Sequence, residues 1–217
     1  MSYTLAAIFT FSIALAAIIG GVRFRKIDTA YYPFIFCMWL ALGNEILGFI
    51  FSHIRHSNAI NNNIYVLLES LLFTWQFQKW GLFKRVKVLF PLILSVFLIF
   101  WIVEGLFFGK IYSTISYFRI FYSVVIVFMS INILNEKLMT EKRNILKNPA
   151  FLICLGFVLY YTYKIITSMF WLYGLGGSRS FRMNVVWIMI YINLVTNLVY
   201  AIAVLCIPGK HRFSLRS

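Results

Sequence analysis

Five ionisable residues stand inside, or near the end of, long apolar stretches of this chain: Glu45, Glu69, Glu104, Arg119 and Lys164. A charge at mid-bilayer depth costs about 2.5–3.5 kcal/mol on insertion scales, so such groups turn toward a bundle interior, where they pair, line a polar path or hold a ligand. Their spacing fits interior stripes. Asn62, Glu69 and Gln76 recur every seven residues, close to two turns of one helix face. Ser116, Arg119, Ser123 and Ser130 share a face, as do Tyr160, Lys164, Ser168 and Trp171. Two further stripes are Ala41, Asn44/Glu45, Gly48 and Ser52, and then Asn193, Asn197 and Tyr200. We therefore expect Asn44, Glu45, Glu69, Arg119, Lys164, Asn193 and Asn197 to share a ligand or ion cavity. The competing reading makes the charges structural pairs between helices, and plain helix–helix hydrogen bonding is the first reading of Asn193 and Asn197. Glu104 lies near the end of its stretch, within reach of headgroup solvation.

Other chemistry is thinner. His53 and His56 lie three residues apart, but a catalytic zinc needs three protein ligands and an open position, and Glu45 is two turns away on the same stretch. His211 is isolated near the C-terminus. Cys37, Cys154 and Cys206 form neither a CxxC motif nor a disulfide framework and read as small packing residues. No metal and no cofactor are expected. No nucleophile–base pair can be assembled either, which weighs against an enzyme without deciding the matter.

The elements that must hold these residues follow from composition. Of 217 residues, 62% are hydrophobic and 12% charged, against about 45–50% and about 25% in soluble domains. That excludes a water-soluble fold. Seven apolar stretches approach the roughly 20 residues a crossing requires, at 3–22, 32–52, 63–80, 88–107, 112–134, 149–172 and 184–207. The longest connection, 135–148, leaves no room for another domain, so residues 1–217 read as a single all-α membrane domain, a seven-transmembrane helix bundle. Helices are favoured because barrel strands would alternate in polarity. Pro33, Pro91 and Pro149 are placed at helix starts and Pro208 at a helix end.

Charge placement sets the expected orientation. Fourteen of the 20 basic residues follow the first, third, fifth and seventh stretches: Arg23, Arg25, Lys26, Lys79, Lys84, Arg85, Lys87, Lys137, Lys142, Arg143, Lys147, Lys210, Arg212 and Arg216. Only Arg55, Lys110, Arg179 and Arg182 fall on the other side. The positive-inside rule then puts the N-terminus outside and the C-terminus in the cytoplasm, in the inner membrane if the chain is bacterial. Met1-Ser2-Tyr3-Thr4 carries no basic residue, so the first stretch reads as a retained signal-anchor rather than a cleaved signal peptide. Its Ser12, Ala16 and Gly20 form a small-residue ridge for close packing. The basic connections suit anionic lipid headgroups or a cytoplasmic partner, and nothing resembles a nucleic-acid motif.

Asn63-Ile64-Tyr65 followed by Glu69 and an aromatic-rich run to Trp80 is similar to a pattern of small bacterial seven-helix proteins of unknown function, which look like stand-alone seven-transmembrane sensing modules. The resemblance implies sensing, with the output carried by a separate protein. A retinal protein is not expected, because microbial rhodopsins carry their lysine on the last helix and this last stretch has none. The leading functional expectation is a receptor-like module with an outward polar cavity. A small transporter or ion relay is the alternative, and a membrane-embedded lipid-modifying enzyme a further one.

Overall fold

The computed structural model describes residues 8–54, 58–140, 145–173 and 178–209, with only the backbone described at 52–54 and 179. Its long elements are all helices: α1 Ile13–Arg23, α2 Tyr32–Ile54, α3 Ala59–Trp80, α4 Leu89–Ile102, α5 Ser116–Thr140, α6 Pro149–Tyr173 and α7 Arg179–Cys206. Local chemistry sets their ends. Pro33, Pro91 and Pro149 occupy first turns, where a missing N–H leaves no intrahelical bond unmade. The Ser178 hydroxyl accepts the Phe181 N–H at the start of α7, and the Asn148 side chain accepts that of Phe151 in the first turn of α6. Gly81, at φ 89°, closes α3 in a left-handed conformation and donates its N–H to Gln78. Beyond Ile102, α4 widens into a π-helical turn, Val103–Phe107.

The helices form a closed ring in chain order. Each packs on its sequence neighbours, and α1 closes the ring against α7. Direct contact between α3 and α5 leaves α4 outside their seam, with Phe97 its one buried residue. Consecutive helices run in opposite directions. Asn61 at the start of α3 donates to Asn44 in α2 at 2.9 Å, while Gln76 near the end of α3 receives the Phe34 N–H from the start of α2 at 2.9 Å. Arg23 at the end of α1 donates to the carbonyls of Val204, Leu205 and Ile207 at the end of α7, at 2.5–3.0 Å. Gly20 of the small-residue ridge lets α1 approach α2 closely, since a Cβ there would lie 3.0 Å from Ile35, while Ser12 of the same ridge meets Asn197 of α7.

The polarity is that of a bundle in lipid. Ile99, Phe128, Ile166, Val195 and Ile202 project outward and exposed, whereas Ser70, Thr74, Gln76, Ser123 and Ser130 are fully buried. A soluble protein does not leave so much apolar surface uncovered. Among the described residues, five helical segments are long and apolar enough to cross a bilayer: Thr29–Phe51, Leu89–Phe107, Ser116–Thr140, Pro149–Tyr173 and Ser180–Cys206. The chain is a multi-pass integral membrane protein. The apolar helix Ile8–Arg23 is shorter than these among the described residues. α3 is long enough, about 33 Å at 1.5 Å per residue, but too polar to count. Several limits differ from the apolar stretches: α5 begins at Ser116 rather than 112 and α7 at Arg179 rather than 184. α5 continues six residues past 134, because Asn135, Glu136 and Lys137 carry on the helix without being oily, and α3 starts at Ala59 through Asn61 and Asn62.

Candidate functional site

An ion pair lies at the centre of the ring. Lys164 of α6 donates to Glu69 Oε2 of α3 at 3.2 Å, and the two residues are 8% and 3% exposed. Glu69 also accepts from Tyr122 at 2.6 Å and from Tyr65 at 2.7 Å. Lys164 donates to the Tyr122 hydroxyl as well. Its ammonium stands 5.1–5.3 Å from the ring centroids of Tyr122, Tyr160 and Tyr161, close enough for cation–π attraction. Both charges therefore have several close partners within the bundle.

The other two charges do not. Glu45 of α2 makes no hydrogen bond and no ion pair among the described residues. Arg119 of α5 has one weak side-chain contact, Nη2 to Asn63 Oδ1 at 3.4 Å, and its buried Nε has no partner. Asn63 is engaged elsewhere. It donates to the carbonyls of Ile111 and Ser113 at 3.0 and 2.7 Å, and so pins the segment between α4 and α5 beside the start of α3.

These groups surround a cavity of about 690 Å³. Asn44, Glu45, Glu69, Arg119, Lys164, Asn193 and Asn197 all stand on its wall. α4 contributes nothing to it, consistent with its place outside the α3–α5 seam. The wall reaches Asn62, Thr114, Ser116, Trp171 and Met189 at the end where α3, α5 and α7 begin, and Thr114 and Trp171 there are exposed. Its deepest members are Cys37, Met38, Phe73 and Tyr200. Below them the bundle is filled by aromatic rings around Phe157, whose centroid lies 4.4 Å from Phe73, 5.8 Å from Tyr200, 5.9 Å from Phe77 and 6.2 Å from Phe34. Among the described residues the cavity is thus a cup: lined by polar and aromatic side chains, open at one end, and closed by aromatic packing at the end bearing most of the basic connections.

The polar stripes divide between cup and scaffold. On α3, Asn62 and Glu69 line the cavity, but Gln76 lies beneath it, bonded to Phe34 and to the Ala30 carbonyl at 2.6 Å. On α5, Ser116 and Arg119 line it, while Ser123 and Ser130 bond back to carbonyls one turn earlier. All four stripe residues of α6 line it. Asn197 lines it while donating to Ser12 of α1 at 2.9 Å, and Asn44 while accepting from Asn61. Asn193 makes no side-chain hydrogen bond among the described residues.

Glu104 departs from its expected solvation. It is 2% exposed and lies outside the cavity. The π turn swings its carboxylate over the start of α5, where it accepts the N–H groups of Tyr117 and Phe118 at 3.1 and 2.6 Å, with Lys110 at 3.9 Å. Cys37, read as packing, is buried yet lines the cavity floor. The side chains of Ser52 and His53, and all of Arg55, His56, Lys142, Arg143 and the tail from 210 onward, lie outside the described residues. Sequence reasoning missed Tyr65 and Tyr122 as partners of Glu69. Tyr65 carried a usable signal, since it lies four residues before Glu69 on one helix face; Tyr122 comes from another helix and carried none. No protein-family model, curated protein or solved structure matches the chain.

Proposed function

We propose that the chain is a receptor-like sensing module of the plasma membrane, or of the inner membrane if bacterial. Seven helices cross, the N-terminus lies outside, and the cup faces outward to take a small ligand on Asn44, Glu45, Glu69, Arg119, Lys164, Asn193 and Asn197. The basic connections face the cytoplasm, against anionic headgroups and a separate signalling partner. The observation that carries this reading is the shape of the cavity. It has the size of a small-molecule site, about 300–1,000 Å³, and is closed by aromatic packing at one end rather than running through. A transporter would need those rings to part.

α3 supports a sixth crossing beside the five apolar spans, and the first helix, described from Ile8 to Arg23, makes the seventh. α3 spans the roughly 30 Å of a bilayer core, and its polar residues Asn63, Glu69, Ser70, Thr74 and Gln76 are all buried in the ring. Two measurements test the proposal. A C-terminal fluorescent-protein fusion should glow and a C-terminal alkaline phosphatase fusion should be inactive; the reverse overturns the orientation. Cysteine placed at Ser168, with the native cysteines replaced, should react with a charged, impermeant thiol reagent only from the outer face. Labelling from neither face, or from both, overturns the outward cup. Substrate counterflow through proteoliposomes would turn the reading to transport.

A further inference from the structure

We infer that the cup is built for a zwitterion, a small molecule bearing an ammonium group held by Glu45 and an oxyanion held by Arg119; this rests on reading the cup as a ligand pocket. Four charged side chains line the cavity, two of each sign. Glu69 and Lys164 neutralise one another, and four tyrosines, Tyr65, Tyr122, Tyr160 and Tyr161, complete their contacts. Their pairing leaves a single acid and a single base with open bonding capacity toward the same space. Glu45 has no partner among the described residues, and Arg119 offers a guanidinium whose buried Nε is unbonded. The two do not pair with each other, and α3 stands between their helices in the ring.

The physical argument is one of balance. A ligand with a single charge would satisfy one group and leave the other facing a partly desolvated cavity, where an uncompensated charge is costly. A zwitterion satisfies both without changing the net charge within the membrane. A guanidinium presents parallel N–H donors to a carboxylate or phosphate. A carboxylate beside aromatic walls suits an ammonium, and Tyr160 and Trp171 supply such rings in the same cavity.

The test uses the full chain in lipid nanodiscs, followed by intrinsic tryptophan fluorescence and thermal unfolding. The probes are glycine betaine, 4-aminobutyrate, 6-aminohexanoate and phosphocholine, set against butylamine, tetramethylammonium and butyrate. We expect at least one zwitterion to bind and to raise the midpoint, with the singly charged compounds weaker by about tenfold or more, the scale of one charge-assisted hydrogen bond. Glu45→Gln and Arg119→Gln should each remove that advantage. Phosphocholine against the amino acids tells phosphate from carboxylate. Should Arg119→Gln not fold, Arg119→Lys keeps the charge without the fork and should still weaken the zwitterion. The inference is overturned if no zwitterion binds, if singly charged probes bind equally well, or if both substitutions leave binding unchanged. Labelling at Ser168→Cys separates the failures: a reactive cysteine leaves the open cup standing and removes only the zwitterion, whereas an unreactive one removes the cup as well.

Discussion

Replacing Glu69 and Lys164, singly and together, gives the sharpest measure of the interior electrostatics. Glu69→Leu strands an ammonium that is 8% exposed and takes the acceptor from two tyrosine hydroxyls. Breaking a buried ion pair from one side costs about 3–5 kcal/mol, and this change belongs at the upper end. Lys164→Met strands the carboxylate but leaves it two tyrosine donors, each charge-assisted bond contributing about 1.5–3 kcal/mol, so about 3 kcal/mol is expected. The double variant holds no stranded charge, only hydroxyls short of partners, and should cost roughly 2–4 kcal/mol. The two single costs sum to about 7–8 kcal/mol, so the cycle should close with about 4 kcal/mol of coupling. Neutral interhelical hydrogen bonds in membranes couple by about 0.6 kcal/mol on average, which makes the two cases separable. Equilibrium unfolding in bicelles reads the four species, with Glu45→Gln as a control that loses no partner and should shift stability by less than about 1 kcal/mol. Coupling below about 1 kcal/mol, or a Lys164→Met cost above that of Glu69→Leu, would refute the pairing.

Gly156→Ala should lower stability by about 1–3 kcal/mol in a thermal melt, because the new methyl would stand 2.5 Å from Tyr200 Cε1 and the ring is wedged against Phe34 and Phe157. Glu104→Ala removes the acceptor for Tyr117 and Phe118 and should cost about 1–2 kcal/mol, with faster amide exchange in the first turn of α5 and partial recovery in Glu104→Gln. Gln76→Leu should cost about 1–3 kcal/mol by stranding the Phe34 N–H and the Ala30 carbonyl, yet leave probe binding in the cup unchanged, since Gln76 lies below the aromatic packing.

Much of the architecture was legible because lipid makes a blunt demand. The starts of α2 and α6 coincide with the apolar stretches to the residue, since proline and a rise in hydropathy act together there. The interior position of Glu69, Arg119 and Lys164 was legible for the complementary reason, that an unpaired charge facing acyl chains is too costly to keep. Their pairing was not. Stripe periodicity says which face turns inward but not which neighbour it meets, and pairing Arg119 with Glu45 or Glu69 was as natural as pairing Lys164 with Glu69. Depth decided the matter: Arg119, in the first turn of α5, lies level with Asn63 at the start of α3, whereas Lys164 reaches Glu69 across the bundle interior although α5 rather than α6 packs directly on α3.

α3 shows why hydropathy alone is a poor guide to such a ring. A helix bordered by lipid on its outer side needs only that side apolar, and here α4 shields part of it. The buried residues Asn63, Val66, Glu69, Ser70, Phe73, Thr74, Gln76 and Phe77 follow the helical repeat along one face from the rim to the closed end. Along that face Asn63 holds the α4–α5 segment, Glu69 the lysine, Phe73 the floor and Gln76 the start of α2. The same side chains that lower its apparent fitness for a membrane are those that bind the other helices to it. A span average cannot separate a polar residue facing lipid from one facing a partner, whereas position around the helix can. The useful sequence signal for this bundle is therefore the phase of its polar residues rather than their number.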